Sequence, residues 1–201
     1  LSMAKKFSVV IVGVVLLAVA SSLLALLSTW RVGGLFAKAV TENLPSIRAA
    51  SELETALLLE SRALRSFVLD AGNREWLEEM RRAEQDFHAW MAEARTMAFT
   101  SEEAEIVDRL ENVHRAYQAQ RQEVVVLCTA GEVEKSKLLL LQGVTDLYRQ
   151  VFALCEDYLL VNQRNANQDA EHAERQIRLH TCMVLVCAGM TVTLGMFLLR
   201  M

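Results

Sequence analysis

Proline is nearly absent from this sequence, and aromatic residues are few. Pro45 is the only proline among 201 residues, and Phe, Trp and Tyr together make up 6%. Hydrophobic residues nevertheless account for 53% of the chain. A composition that is apolar but poor in aromatics and proline argues against a sheet protein. It indicates long helices, some of them in a membrane.

Acidic residues are absent from both ends of the chain. None precedes Glu42 and none follows Glu174, so all 25 acids lie between Arg31 and His180. That segment holds 18 Lys and Arg, which leaves it with a net charge of −7. Because an acidic segment repels phosphate backbones, we expect no binding to nucleic acid.

Sequence motifs of catalytic and nucleotide sites are missing as well. There is no GxSxG, phosphate-binding glycine loop, HExxH or EF-hand, so we expect no enzyme activity and no cofactor. The four cysteines show no CxxC spacing, which excludes the usual zinc and redox motifs. We expect free, buried thiols at Cys128, Cys155, Cys182 and Cys187.

Histidines offer one metal hypothesis. Counted from a turn near Thr100, His88 and His114 fall at similar heights on neighbouring helices, with Glu84 and Glu111 close. Such a set can bind Zn or Ni. The alternative is a pair of half-exposed surface histidines, since their helical neighbours are polar: Arg81, Arg95, Gln118 and Arg121. We favour the alternative and predict no metal site.

Two apolar runs are long enough to cross a bilayer. Phe7–Trp30 and Thr181–Leu199 each cover a hydrocarbon core of about 30 Å at about 1.5 Å per residue. A signal peptide cleaved near Ala18–Ser21 is the competing interpretation of the first run. The run continues through Leu27 without a polar break, which favours a retained transmembrane helix.

Apolar residues recur at helical spacing in three segments between these runs. Gly33-Gly34 is expected to loosen the exit from the membrane, and Pro45 suits the first turn of the next helix. Thr100 or Ser101 is a good N-cap. The turns are expected at Asp70–Asn73 and Gly131, and the helices at 47–69, 74–98 and 102–130.

The remaining stretch, Glu132–Leu199, predicts one unusually long helix. One apolar stripe repeats in heptads, which indicates coiled-coil-like packing: Leu138, Leu141, Thr145, Tyr148, Phe152, Cys155, Leu159, Asn162, Ala166, Asp169 and Ala173. A second apolar face ends at Val161, the level that an antiparallel third helix would reach. Its members are Leu140, Val144, Leu147, Val151, Leu154, Tyr158 and Val161.

These segments predict an all-α fold, an up-down-up-down four-helix bundle on a two-helix stalk, flanked by two transmembrane helices. The domain assignment is 1–6 cytoplasmic stub, 7–30 first span, 31–180 bundle outside the cytoplasm, 181–199 second span and 200–201 start of a cytoplasmic region. Lys5, Lys6 and Arg200 would lie inside. Charges also flank the other side, so the positive-inside count alone does not fix the orientation.

One face of the first bundle helix carries two arginines beside the core stripe. Arg62 and Arg65 share it with Leu58 and Leu69. Counting residues along each helix from the distal turn of the bundle places three residues of the last helix nearby: Gln142, Thr145 and Arg149. Together these side chains can form a cationic pocket for a small anion such as a carboxylate or an oxyanion. The alternative is a solvated face with the arginines paired to Glu60 or to water.

The layout resembles the four-helix-bundle sensor domain of methyl-accepting chemotaxis proteins, which many sensor histidine kinases share. The stretches that carry the resemblance are LETALLLESRALRSFVLD, residues 53–70, and NQRNANQDAEHAERQIR, residues 162–178, which leads into the second span. The resemblance covers nearly the whole chain and rests on layout more than on signature residues.

This resemblance implies a two-pass protein of the bacterial inner membrane with its bundle in the periplasm or outside the cell. It also implies a homodimer that binds a ligand near the interface through the first and last bundle helices. By this resemblance, Arg62 is the first candidate for a ligand contact and Arg65 is the second. A small piston or rotation of the last helix would pass the signal to a HAMP linker and an output domain, and any kinase activity would lie downstream. The alternative is a membrane-anchored scaffold whose bundle binds another protein.

Overall fold

The computed structural model describes residues 3–200, and every described element is helical. In order these are α1 (Met3–Lys38), a π-helical segment (Ala39–Asn43), α2 (Leu44–Leu69), α3 (Arg74–Thr96), α4 (Ser101–Thr129), α5 (Val133–Leu139), a second π-helical segment (Leu140–Val144) and α6 (Thr145–Arg200). The predicted all-α four-helix bundle is confirmed. Leu1, Ser2 and Met201, at the outer ends of the predicted segments 1–6 and 200–201, lie outside the described residues.

The chain divides into two compact units, residues 1–39 with 167–201 and residues 40–166. In the first unit, Lys38 Nζ lies 3.0 Å from Asp169 Oδ2. Two helices, within Ile11–Leu69 and Val133–Phe197, are long and apolar enough to cross a membrane, and their apolar windows have no buried residues. This agrees with two spans. The domain boundaries drawn from the sequence remain predictions.

Local sequence sets where the bundle helices begin and end. Gly72 and Gly131 adopt φ of +90° and +82°, left-handed values that favour glycine after a helix. Asn73 caps α3 by accepting from the Glu75 amide. Thr100 caps α4 in a full capping box with Glu103. These are the turn and cap residues that the sequence predicts.

The bundle core is built on the predicted stripes. On α2 the stripe side chains are all buried: Leu53, Ala56, Leu57, Leu64, Phe67 and Val68. On α3 and α4 the fully buried members include Phe87, Leu110, Tyr117 and Val124. On α6 the second apolar face is the main core face, since Val151, Leu154, Tyr158 and Val161 are buried. The Tyr158 hydroxyl donates to the carbonyl of Ala94, 3.2 Å away, and fixes α6 against α3.

The heptad stripe is only partly used by this core. Cys155 and Asn162 are buried, whereas Leu138 and Leu141 are 55% and 70% exposed. Tyr148, Phe152 and Leu159 are half-buried against the core. The heptads thus leave an apolar stripe on the surface of the bundle.

Residues 133–199 form one continuous helical run, as the sequence predicts, but Leu140–Val144 within it is π-helical and separates α5 from α6. The Thr145 amide and hydroxyl both bond to the carbonyl of Leu140, five residues earlier, which stabilises the wider turn. Gly33-Gly34 does not interrupt α1. The irregular segment is instead Ala39–Asn43, just before Pro45 in the first turn of α2.

Candidate ligand face and a buried ion network

Arg62 and Arg65 lie on an exposed face of α2, as the helical spacing predicts. The leucines that share this face are also solvent-exposed, Leu58 by 44% and Leu69 by 80%. Glu60, which the solvated-face alternative would pair with these arginines, points the other way and is completely buried. The face therefore presents two guanidinium groups between exposed apolar side chains.

The structure brings Arg65 together with the turn of α6 that carries Thr145 and Arg149. The Arg65 guanidinium lies over the Tyr148 ring, 5.6 Å from its centroid. Burial raises the pKa of the Tyr148 phenol, with Arg65 opposing the shift and Glu54 adding to it. Glu54, Arg65 and Tyr148 are thus close enough to influence one another.

The other predicted ligand residues are less closely joined. The Thr145 hydroxyl donates to the Leu140 carbonyl at 2.8 Å, and Arg149 pairs with Asp146 at 3.5 Å. Gln142 is exposed on the π-helical segment. Among the described residues, no hydrogen bond or ion pair links Arg62 or Gln142 to the other three. The predicted pocket is an open face in a single chain.

Sequence reasoning missed an ion network inside the bundle. Glu60 on α2 is 0% exposed and accepts a hydrogen bond from Nη1 of Arg121 on α4. Nη2 of the same guanidinium donates to Glu84 on α3 at 2.9 Å. Three helices are therefore tied by one arginine and two carboxylates. Burial lowers the pKa of Arg121, but the two carboxylates outweigh it and raise that pKa above its ordinary value.

His114 extends this network. It is 2% exposed, and its Nε2 lies 3.4 Å from Glu60 Oε2. Its ring stacks on Phe87 with centroids 3.8 Å apart. The expectation of a half-exposed His114 is wrong, because His114, like Arg121, occupies a core-facing helical position. His88 is exposed as expected.

The signal for this network is present in the sequence. Glu60 follows Leu57 by three residues and precedes Leu64 by four, which puts it on the core stripe of α2. Arg121 follows Tyr117 by four residues and precedes Val124 by three, which puts it on the core stripe of α4. An acid and a base at core positions of two helices indicate a buried pair, since neither is stable alone in an apolar core.

The two histidines approach each other between α3 and α4. Their ring centroids are 5.6 Å apart, edge to face. Glu84 is held by Arg121 and Gln118, and Glu111 by Arg95 and Arg115. Within residues 3–200, no three His, Cys, Asp or Glu side chains converge as metal ligands.

All four cysteines are free. Cys128 and Cys155 are buried in the bundle, and burial raises the pKa of the Cys155 thiol to about 12. Cys182 is exposed and Cys187 half-exposed on α6, so the expectation of buried thiols fails for these two within a single chain.

Comparison with known proteins gives one match. The family described as "four helix bundle sensory module for signal transduction" matches residues 1–177. No curated protein and no solved structure matches the chain. The match covers most of the sequence, including the bundle and the first apolar helix, and it agrees with the helical architecture. The chain belongs to the four-helix-bundle sensory modules of signal transduction.

Proposed function

We propose that this chain is the ligand-sensing, membrane-spanning part of a bacterial chemoreceptor or sensor histidine kinase. The observation that carries the proposal is α6, a single α-helix from Thr145 to Arg200. It begins among the core residues of a sensory bundle and continues into a segment apolar enough to span a bilayer. A helix shared in this way can pass a displacement that a flexible linker would absorb.

The ligand site belongs to the exposed face of α2 and α6. Arg62, Arg65 and Arg149 supply cationic donors, and Gln142 and Thr145 add polar groups. A small carboxylate or oxyanion fits this set, because guanidinium groups bind such anions in bidentate fashion. The domain as a whole is acidic, so a local group of three arginines favours an anion at this face.

A homodimer completes the site. The same face carries apolar side chains that the single chain leaves exposed, Leu58 and Leu69 on α2 and Leu138 and Leu141 before α6. Exposed leucines at heptad spacing are the pattern that helix pairs bury on association. A second copy packed here would cover them and place two sets of arginines around one ligand.

We also propose the membrane topology. Both apolar helices cross the inner membrane, and the bundle faces the periplasm or the outside of the cell. The acidic residues all lie between the two apolar runs, where water surrounds them. The downstream domain then receives the signal in the cytoplasm.

A thermal-shift screen of the full chain in detergent micelles tests the site. We expect a small carboxylate or oxyanion to raise Tm, and the gain to be lost in Arg62→Gln and Arg65→Gln. Arg81→Gln is the matched control, because Arg81 is an exposed arginine paired with Glu78 on α3. Equal gains in all variants would refute the proposed ligand face.

Sedimentation of the same samples tests the dimer, and a monomer at every concentration would refute it.

A further inference from the structure

A second cleft lies on a different side of the bundle, between α3 and α4. Its volume is about 290 Å³, and it is lined by His88, Met91, Ala92, Arg95, Glu111, His114, Arg115 and Gln118. Arg62 and Arg65 of α2 are not among these residues. The cleft is large enough for a ligand of one ring and one acidic group.

Flat and apolar groups form the inner part of this cleft. His114 is buried at its base and stacks on Phe87, with 20° between the two ring planes. His88 meets the His114 ring edge to face. Met91 is 8% exposed beside them. A planar ring packs well against such a surface, since aromatic groups prefer stacked or edge-to-face contacts.

Two arginines at the rim already hold carboxylates: both pair with Glu111, and Nη2 of Arg95 also pairs with Asp108. Glu111 Oε2 lies 3.1 Å from Nη2 of Arg95, and Glu111 Oε1 lies 3.3 Å from Nη2 of Arg115. Both arginine side chains are more than half exposed, so several of their N–H donors still face the solvent. The rim therefore has the geometry for binding an anion and an internal carboxylate that competes for it.

The rim of the cleft is less acidic than the rest of the domain. Its two arginines, Arg95 and Arg115, are matched by two carboxylates, Glu111 and Asp108, whereas the residues from Arg31 to His180 have a net charge of −7. An anion is therefore repelled less at this cleft than over most of the bundle surface.

We propose that this cleft is a second ligand site, which binds a small carboxylate that carries one planar ring. The carboxylate lies between Arg95 and Arg115, partly displacing Glu111, and the ring packs against His88, His114 and Met91. The site is independent of the α2–α6 face.

The position of the cleft gives its occupant a route to the rest of the bundle. Gln118 donates to Glu84 at 2.8 Å and bonds with His88 at 2.9 Å. His114 contacts Glu60 of α2. A ring placed against these side chains therefore touches the network that joins α2, α3 and α4.

Calorimetric titration of the full chain in detergent micelles with benzoate tests this proposal. The neutral analogue benzamide and micelles without protein are the controls. We expect saturable binding of benzoate but not of benzamide. Because each guanidinium supplies a charge-assisted contact, we expect Arg95→Gln and Arg115→Gln each to weaken binding by about threefold to tenfold.

Three further variants separate this site from a merely structural role and from the α2–α6 face. Glu111→Gln removes the competing charge and should tighten benzoate binding, an opposite sign that general destabilisation would not give. Arg62→Gln and Arg65→Gln, on the other face, should not weaken the benzoate binding step that Arg95→Gln and Arg115→Gln weaken. The proposal is overturned if the wild type does not bind benzoate or if benzamide binds equally well. It is also overturned if Glu111→Gln binds benzoate more weakly, or if the α2 variants lose benzoate binding instead of the α3 and α4 variants.

Discussion

The carboxylate of Glu60 on α2 and the guanidinium of Arg121 on α4 form a hydrogen-bonded ion pair in the bundle core, and both side chains are buried. Around this pair lie Glu84, His114 and Tyr117, whose phenol has a raised pKa because of burial and the nearby Glu60. Together with Glu84 on α3, the pair therefore fixes the register of three helices at one level of the bundle.

Breaking this pair should be costly. Arg121→Met leaves a buried carboxylate without its main cation, and we expect a loss of about 3–5 kcal/mol in the free energy of unfolding. Urea denaturation of the full chain in micelles, followed by circular dichroism, measures it. Arg81→Met, which removes an exposed pair with Glu78, should cost at most about 1 kcal/mol. Similar losses in both variants would contradict a stabilising role for the buried pair.

The capping box of α4 should contribute measurably to stability. Thr100→Ala removes the side-chain acceptor of the Glu103 amide, and we expect a loss of about 1 kcal/mol. Glu103→Ala should cost more, because its buried carboxylate accepts from the Phe99 and Thr100 amides and from Asn165 of α6, each at 2.8 Å. Thr129→Ala, at an exposed helix end, serves as the control and should change stability by less than about 0.5 kcal/mol. The reverse order of losses would contradict this account.

Alkaline pH should destabilise the bundle in part through Cys155. Burial raises the pKa of this thiol from its ordinary value of 9.0 to about 12. The unfolded chain therefore loses its thiol proton first. The stabilisation that the buried thiol provides is fully present below pH 9 and is lost as the pH rises towards 12. For this one group, the free energy of unfolding falls by at most about 1.4 kcal/mol per pH unit.

Unfolding free energies of wild type and Cys155→Ala between pH 8 and 11 measure this effect. The cavity left by the substitution lowers stability at every pH, but the slope above pH 9 should be shallower in the variant. Tyr158, whose pKa burial raises to about 12, titrates in both proteins and is common to the two curves. Parallel curves would show that Cys155 does not titrate in this range.

Much of the fold follows from patterns that are local in the sequence. Helical spacing of apolar residues places α2, α3 and α4, and Gly72, Gly131 and Thr100 define their ends. The lengths of the antiparallel helices then predict where the second apolar face of α6 ends, near Val161, which is buried as expected. These features need only short-range rules of propensity, capping and periodicity.

The features that the sequence did not reveal depend on partners from distant helices. The buried position of His114 depends on Phe87 and Glu60, and that of Arg121 on Glu60 and Glu84, on helices that periodicity alone does not align side chain by side chain. The π-helical turn at Leu140–Val144 was missed because it adds one residue to a turn without any proline or cap to mark it. In the ligand face, sequence predicted which side chains are exposed, whereas the contact of Arg65 with Tyr148 required the three-dimensional packing.

In the proposed function, α6 carries the signal from the bundle to the output region. A chimera that joins residues 1–201 to the cytoplasmic half of a chemoreceptor allows kinase control to be measured with the carboxylate that stabilises the wild-type chain. A Gly-Gly-Ser insertion after Asn165 interrupts α6 beyond Asn162, the last buried residue of the bundle. We expect the insertion to abolish the change in kinase activity on ligand addition while the ligand Kd stays the same. An undiminished kinase response in the insertion variant would contradict it.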